Sequence, residues 1–145
     1  MKKRIDLSNV VSSGYKRIIA LDSFVQNSDL DKTHLELIKV RASQINGCAY
    51  CLNLHTRDAM NQGETAQRIF LLNAWRETEL FTEEERTILA MTEEITLISE
   101  RGLTEETYEM ATKLFNEEYI GFIIMAIITI NAWNRVAVST HKPID

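Results

Sequence analysis

The sequence predicts an all-α fold, and three observations carry that reading. Its 145 residues include only five Gly and one Pro, Pro143, so few turns are obligatory. Apolar residues recur at helical rather than alternating spacing through most of the chain. Cap and stop signals (Asp31, Asn46-Gly47, Gly63, Thr82, Gly102, Thr104) separate these segments. Together they predict a compact bundle of about six or seven helices in a single domain, residues 1–145.

Taken in order, residues 11–27 place Val11, Tyr15, Ile18, Ile19, Leu21, Phe24 and Val25 at roughly helical intervals. Asp31 is placed to cap a second helix carrying Leu35, Ile38, Ala42 and Ile45, which Asn46-Gly47 ends because both residues tolerate the left-handed conformation. A third helix is expected from near Cys48 to about Gln62, with Gly63 as its stop, and a fourth over 65–80 through Ile69, Leu72 and Trp75 or Arg76. Thr82-Glu83-Glu84-Glu85 reads as a capping box opening a helix that runs through Ile88, Met91, Ile95 and Ile98 to Gly102. Thr104 caps the next helix, with Glu105 and Glu106 suited to the positive end of its dipole.

The last segment, Tyr119 to Val138, is the most apolar. Its Ile residues would also suit a strand, but no other segment alternates well enough to pair with it, so a helix is expected. Apolar nearly all round, it should be buried on every side, in part beneath a subunit interface. No charge falls between Glu118 and Asn131, a stretch shorter than the ~20 residues a bilayer requires, so no membrane role is expected.

A net charge of −5 argues against a nucleic-acid partner, which would call for a basic face. The basic start Met1-Lys2-Lys3-Arg4 is not followed by an apolar run, so no secretory signal is read. The two cysteines lie three residues apart instead of linking distant segments, which fits a cytoplasmic protein doing redox or metal chemistry.

Chemistry is concentrated at Cys48, Cys51 and His55. At ~100° per residue these three fall within about 60° of one another on a helix. Cys51 and His55 are i, i+4 neighbours, the thiols are an i, i+3 pair able to close a disulfide, and Tyr50 is expected on the opposite side. Cys48, just after Gly47, would stand at a helix N-terminus, where unpaired N–H groups favour a thiolate. His55 supplies a base or a counter-charge. Glu36, on the preceding helix, is a candidate to hold one ring nitrogen. Other readings of these residues are two inert buried thiols, or zinc or iron held by Cys48, Cys51, His55 and Glu36. By spacing alone, a residue such as Glu36 is more often a solvated surface carboxylate. His34 reads as a first-turn surface residue, His141 as part of a mobile tail, and Trp75, Phe122 and Trp133 as core or interface.

Glu36, eleven residues, then Cys48-Ala49-Tyr50-Cys51-Leu52-Asn53-Leu54-His55, with Arg41-Ala42-Ser43-Gln44-Ile45-Asn46-Gly47 and Ala74-Trp75-Arg76-Glu77, resembles the alkylhydroperoxidase D (AhpD-like) family of the carboxymuconolactone decarboxylase superfamily. The likeness covers Glu36 to about Thr96. It implies an all-helical homo-oligomer, trimeric or hexameric, that reduces hydroperoxides with thiols and without haem, flavin or metal. By position, Cys51 would be the peroxidatic cysteine, Cys48 the resolving one, and His55 and Glu36 the proton relay. A lipoyl-bearing or thioredoxin-like dithiol protein would be the reductant. The best-known members carry a second His where this chain has Tyr50. Cysteine-free decarboxylases of the superfamily lack the CxxC found here. Alternatives to the peroxidase are a thiol–disulfide exchange adaptor and a metal-binding or redox-sensing module.

Overall fold

The computed structural model describes residue 2 and residues 4–144. Among these, the regular structure is entirely helical: α1 (Leu7–Val10), α2 (Ser12–Gln26), α3 (Lys32–Ile45), α4 (Ala49–Asn61), α5 (Ala66–Leu71), a 3-10 helix (Leu72–Glu77), α6 (Glu83–Thr96), α7 (Ile98–Arg101), α8 (Glu105–Leu114) and α9 (Glu117–Thr140). The anticipated caps close. The Asp31 carboxylate accepts the N–H groups of Thr33 and His34. Thr82 and Glu85 exchange bonds as a capping box. The Thr104 hydroxyl accepts the Thr107 N–H.

The nine α-helices among the described residues exceed the six or seven expected, for local reasons. Asp6 caps the extra first turn, α1. The single helix expected over 65–80 instead tightens after Leu71, and Ala74 leaves helical geometry at φ −116°, ψ 24°. In a three-residue turn, positions i and i+3 eclipse, which puts Leu72 and Trp75 on one line into a cluster with Leu37, Val40, Phe81 and Leu89. The Arg86 guanidinium donates to the carbonyl of Trp75, which also accepts the Thr78 N–H, and to the carbonyl of Thr78. The helix begun at Thr82 breaks at Leu97 (φ −95°, ψ 43°), because the apolar residues that would continue it, Leu97 and Ile98, have no core to enter and stay exposed.

The hub is α3, packed against α4, α6 and α9. Leu35, Ile38 and Ala42 on α3 meet Ile88 and Met91 of α6 and Ile120, Ile123 and Ile127 of α9 in the main core. Glu93 of α6 ties three elements together: its carboxylate accepts from Arg41 Nε at 2.9 Å, Trp75 Nε1 at 2.9 Å, and Arg76.

In length and composition α9 is long and apolar enough to cross a membrane, which corrects the shorter estimate made from its uncharged stretch. It lies at the centre of the core, and its polar residues are spent on neighbouring helices: Asn131 and Asn134 bond to α3, the turn after it, and α6. It is not buried on every side within the chain. Ile128 is 45 % exposed, and Phe122, Ile124 and Met125 are only partly covered.

Candidate active site

The site begins with the way α3 stops. Gly47 takes φ +62°, its N–H donates to the Gln44 carbonyl at 3.3 Å, and the Cys48 N–H donates to the Ser43 carbonyl at 3.0 Å. This is a Schellman ending, in which a left-handed residue lets two following N–H groups cap the helix. Cys48 therefore closes α3 and, as N-cap, opens α4. An L side chain at φ +62° is strained by about 1–2 kcal/mol. Gly47→Ala should lose that much stability in urea unfolding, and Gly47→Asn, which tolerates the left-handed region, should lose less.

As N-cap, the Cys48 sulfur accepts the Cys51 N–H at 3.3 Å. The Cys51 S–H donates to the same sulfur and the Asn134 amide stabilises it further, outweighing burial and pulling the Cys48 thiol from 9.0 down to about 6. The Cys51 thiol moves the opposite way: as donor to Cys48, and desolvated, it is held well above the ordinary thiol range. One negative charge is thus shared by the pair, and the N-cap position, where the Cys48 sulfur accepts the Cys51 N–H, favours it on Cys48. Both cysteines are free thiols and buried, Cys48 at 1 % exposure and Cys51 at 3 %.

Exposure hardly separates the two, but position does. A cavity of about 230 Å³ between α2, α4 and α9 is lined by Cys51 and His55, and Cys48 is not part of its wall. The stripe of α4 facing this cavity is Tyr50, Cys51, Leu54 and His55. Tyr50 therefore lies on the site, where the helical projection put it on the opposite side. Consecutive residues are ~100° apart rather than opposed, and a ring as long as Tyr spans the difference. It packs on the Cys48–Cys51–Ala137 cluster.

Behind His55 lies Glu36, 5 % exposed, in the middle of α3. Glu36 Oε2 faces His55 Nδ1 at 3.5 Å, and neither buried atom has a hydrogen-bond partner. Asp58 Oδ2 stands 3.8 Å from the same nitrogen. With Nδ1 turned to carboxylates, Nε2 is the ring nitrogen left for proton transfer. Glu36 Oε1 accepts from Lys39 Nζ at 2.9 Å, a pair with both side chains 6 % exposed. Burial raises the Glu36 pKa, but the His55 ring and the Lys39 ammonium outweigh it and hold the carboxyl below its usual 4.5.

The metal-ligand set weighed from the sequence is not assembled. Among the described residues, the His, Cys and carboxylate groups with ligand atoms within 4.8 Å of one another are Glu36, His55 and Asp58, without either sulfur. The Lys39 ammonium already occupies Glu36, which works against a cation there.

Several residues at the site were not anticipated. Asn134 is buried, donates to Ser43 Oγ at 2.9 Å and accepts from Asn46 Nδ2 at 2.9 Å, pinning α9 to the turn that carries Cys48. Its signal was an amide in an otherwise apolar helix. Lys39 had one too: an i+3 opposite charge to Glu36 within an apolar run. Lys142, beyond the end of α9, had none. Of the other histidines, His34 is half-buried, with Nδ1 2.7 Å from the Tyr119 hydroxyl and its ring edge-on to Phe115, so it is not a plain surface residue. His141 is not loose: it caps α9 in the left-handed conformation, with Nδ1 3.2 Å from the Lys2 carbonyl.

Residues 15–94 match the carboxymuconolactone decarboxylase family. The uncharacterized protein YdfG of Bacillus subtilis is 36 % identical over 139 residues, covering 96 % of this chain and 95 % of that protein. A solved structure from Agrobacterium tumefaciens, described as a protein of unknown function and candidate antioxidant defence protein AhpD, superposes with a TM-score of 0.95 at 37 % identity, covering 99 % of both chains. An uncharacterized peroxidase-related protein from a Silicibacter species follows at TM-score 0.75 and 27 % identity, over 87 % of this chain and 67 % of that one. The fold is AhpD-like, and the chain belongs to the carboxymuconolactone decarboxylase family.

Proposed function

We propose that this protein is a thiol-dependent peroxidase that reduces hydroperoxides with the Cys48–Cys51 pair. One observation carries the reading: Cys51 lines a cavity, while a sulfur held as thiolate, Cys48, accepts its proton from behind. As the Cys51 sulfur attacks the terminal peroxide oxygen, its proton passes to Cys48. The O–O bond breaks, and the proton that Cys48 took is passed through His55, whose ring Glu36 orients, to the departing alkoxide, which restores the Cys48 thiolate. Net, Cys51–SH and ROOH give Cys51–SOH and ROH. The Cys48 thiolate then displaces hydroxide from the sulfenic sulfur, the hydroxide is protonated to water, and a disulfide remains. An external dithiol returns two electrons by exchange.

A lipoyl-bearing or thioredoxin-like protein is the reductant in this proposal, and cytoplasm, which keeps thiols reduced, is the setting. The assembly is taken as a homo-oligomer, trimer or hexamer, covering the partly exposed apolar residues of α9.

A second reading is disulfide exchange with little peroxide turnover, which the low pKa of the N-cap Cys48 favours. Stopped-flow mixing of pre-reduced protein with a hydroperoxide decides between them. The peroxidase predicts rapid loss of one peroxide per Cys pair with disulfide formation. Slow consumption that does not depend on Cys51, together with fast reduction of a disulfide substrate, would favour the adaptor.

A further inference from the structure

The cavity beside Cys51 holds two charged side chains that the thiol chemistry does not use, Lys142 and Asp22. Lys142 follows the end of α9 and is turned back into the cavity, its Nζ 4.2 Å from the centroid of the Tyr50 ring. It is held there from several directions. Its own N–H donates to the Ala137 carbonyl at 3.0 Å, His141 before it takes the left-handed conformation, and Arg4 bonds to the Ser139 carbonyl at 2.8 Å. The ammonium is half-buried, and no carboxylate among the described residues forms an ion pair with it.

The remaining wall is largely apolar and aromatic. Tyr15 and Trp133 meet edge-on with centroids 5.3 Å apart. Asp22, two turns along α2 from Tyr15, also lines the cavity and opposes a second negative charge. At about 230 Å³ the space is smaller than the ~300–1,000 Å³ pockets that take drug-sized ligands. An apolar body with a single anionic end matches this lining: the end pairs with Lys142, and the body packs on the aromatic rings.

We propose that Lys142 is the substrate-positioning residue of this cavity and that the protein prefers compact organic hydroperoxides bearing one carboxylate over neutral ones. The substrate class rests on the peroxidase reading; the anion site does not. Lys142 also lies near enough to the sulfurs to favour charge on them, so a loss of rate in a Lys142 variant would not by itself separate binding from thiolate stability. A ratio of two reagents acting on the same cysteine, Cys51 at the cavity wall, does.

Reduced protein is alkylated with iodoacetate and, in parallel, with iodoacetamide, which are matched in size but differ by one negative charge. Adducts are located by mass spectrometry, and rates are normalised to 2-mercaptoethanol. Wild type should favour iodoacetate. Lys142→Gln should lower the iodoacetate-to-iodoacetamide ratio about tenfold, the size of one ion pair in a partly desolvated cavity, and Lys142→Arg should retain it. An unchanged ratio in Lys142→Gln overturns the anion site, whether or not any peroxide is consumed. In the second arm, a carboxylated hydroperoxide and its methyl ester are compared by kcat/KM. A preference for the acid that disappears in Lys142→Gln, chiefly through KM, supports the substrate class. Equal kcat/KM for the two in wild type overturns it. If neither is reduced, the peroxidase reading falls, and the alkylation ratio still decides the anion site.

Discussion

Cys51→Ser should abolish hydroperoxide reduction, and Cys48→Ser should convert it to a single turnover. A serine hydroxyl cannot supply the nucleophilic sulfur at the cavity wall, so consumption by Cys51→Ser should fall by about three orders of magnitude or more, the scale on which a lost covalent nucleophile is felt. Cys48→Ser retains Cys51 against the cavity but removes the sulfur that closes the disulfide. One peroxide per chain should be consumed, leaving a sulfenic acid on Cys51 that a dimedone-type reagent traps. Label on Cys48 in Cys51→Ser, with none on Cys51 in the reciprocal variant, would reverse the two roles. The pH profile offers an independent check. With the Cys48 thiol drawn down to about 6, the pair carries its negative charge above that pH and loses it as pH falls through it. Alkylation of the reduced protein should therefore be half-maximal near pH 6. Cys51→Ala removes the S–H donor that is the main cause of the shift, so thiolate absorbance of Cys48 should then titrate at higher pH, toward 9.0.

The sequence and the structure agree most closely where the physics is local. Asp31, Thr82, Thr104 and Gly47 are short-range devices: each satisfies orphan backbone groups a few residues away, and each sits where its spacing puts it. The i, i+3 relation of Cys48 and Cys51 is of the same kind, and so is the N-cap position that sets the charge on Cys48. The pairing of Glu36 with His55 was less accessible, because it depends on α4 folding back along α3 after the three-residue connection Asn46-Gly47-Cys48. It could be read only as a candidate from spacing.

What stayed hidden was decided by distant packing. Leu72 and Trp75 tighten a helix into a three-residue turn because a cluster drawn from α3 and α6 receives them. Tyr50 reaches the cavity because α9 and α2 lie across α4, and no projection of one helix contains those neighbours. Lys142 is separated from Cys51 by 91 positions in the chain, and its place follows from how α9 ends.

Glu36 carries two roles at once, and removing its charge should expose both. Glu36→Gln leaves the Lys39 ammonium, 5 % exposed, facing a neutral amide. Breaking one side of a buried pair commonly costs about 3–5 kcal/mol, because the remaining charge is desolvated without compensation. A loss of that order in urea unfolding is expected, and it would obscure any effect on proton transfer. Glu36→Gln combined with Lys39→Met removes both charges and replaces the ammonium with an apolar chain of similar length. The double variant should recover most of the lost stability, since an apolar pair of matched volume is often as stable as the ion pair it replaces. Peroxide reduction should stay depressed in it, because Nδ1 of His55 then faces only the more exposed Asp58 carboxylate, 3.8 Å away. Recovery of activity along with stability would make Glu36 a structural residue only. The acid side gives the matching sign. The Glu36 carboxyl is held below its ordinary 4.5 in the fold, so its contribution is fully present above the unfolded value and is lost as pH falls through the folded one. Wild type should lose stability over that acid window, and the double variant, with no carboxylate at position 36, should lose less.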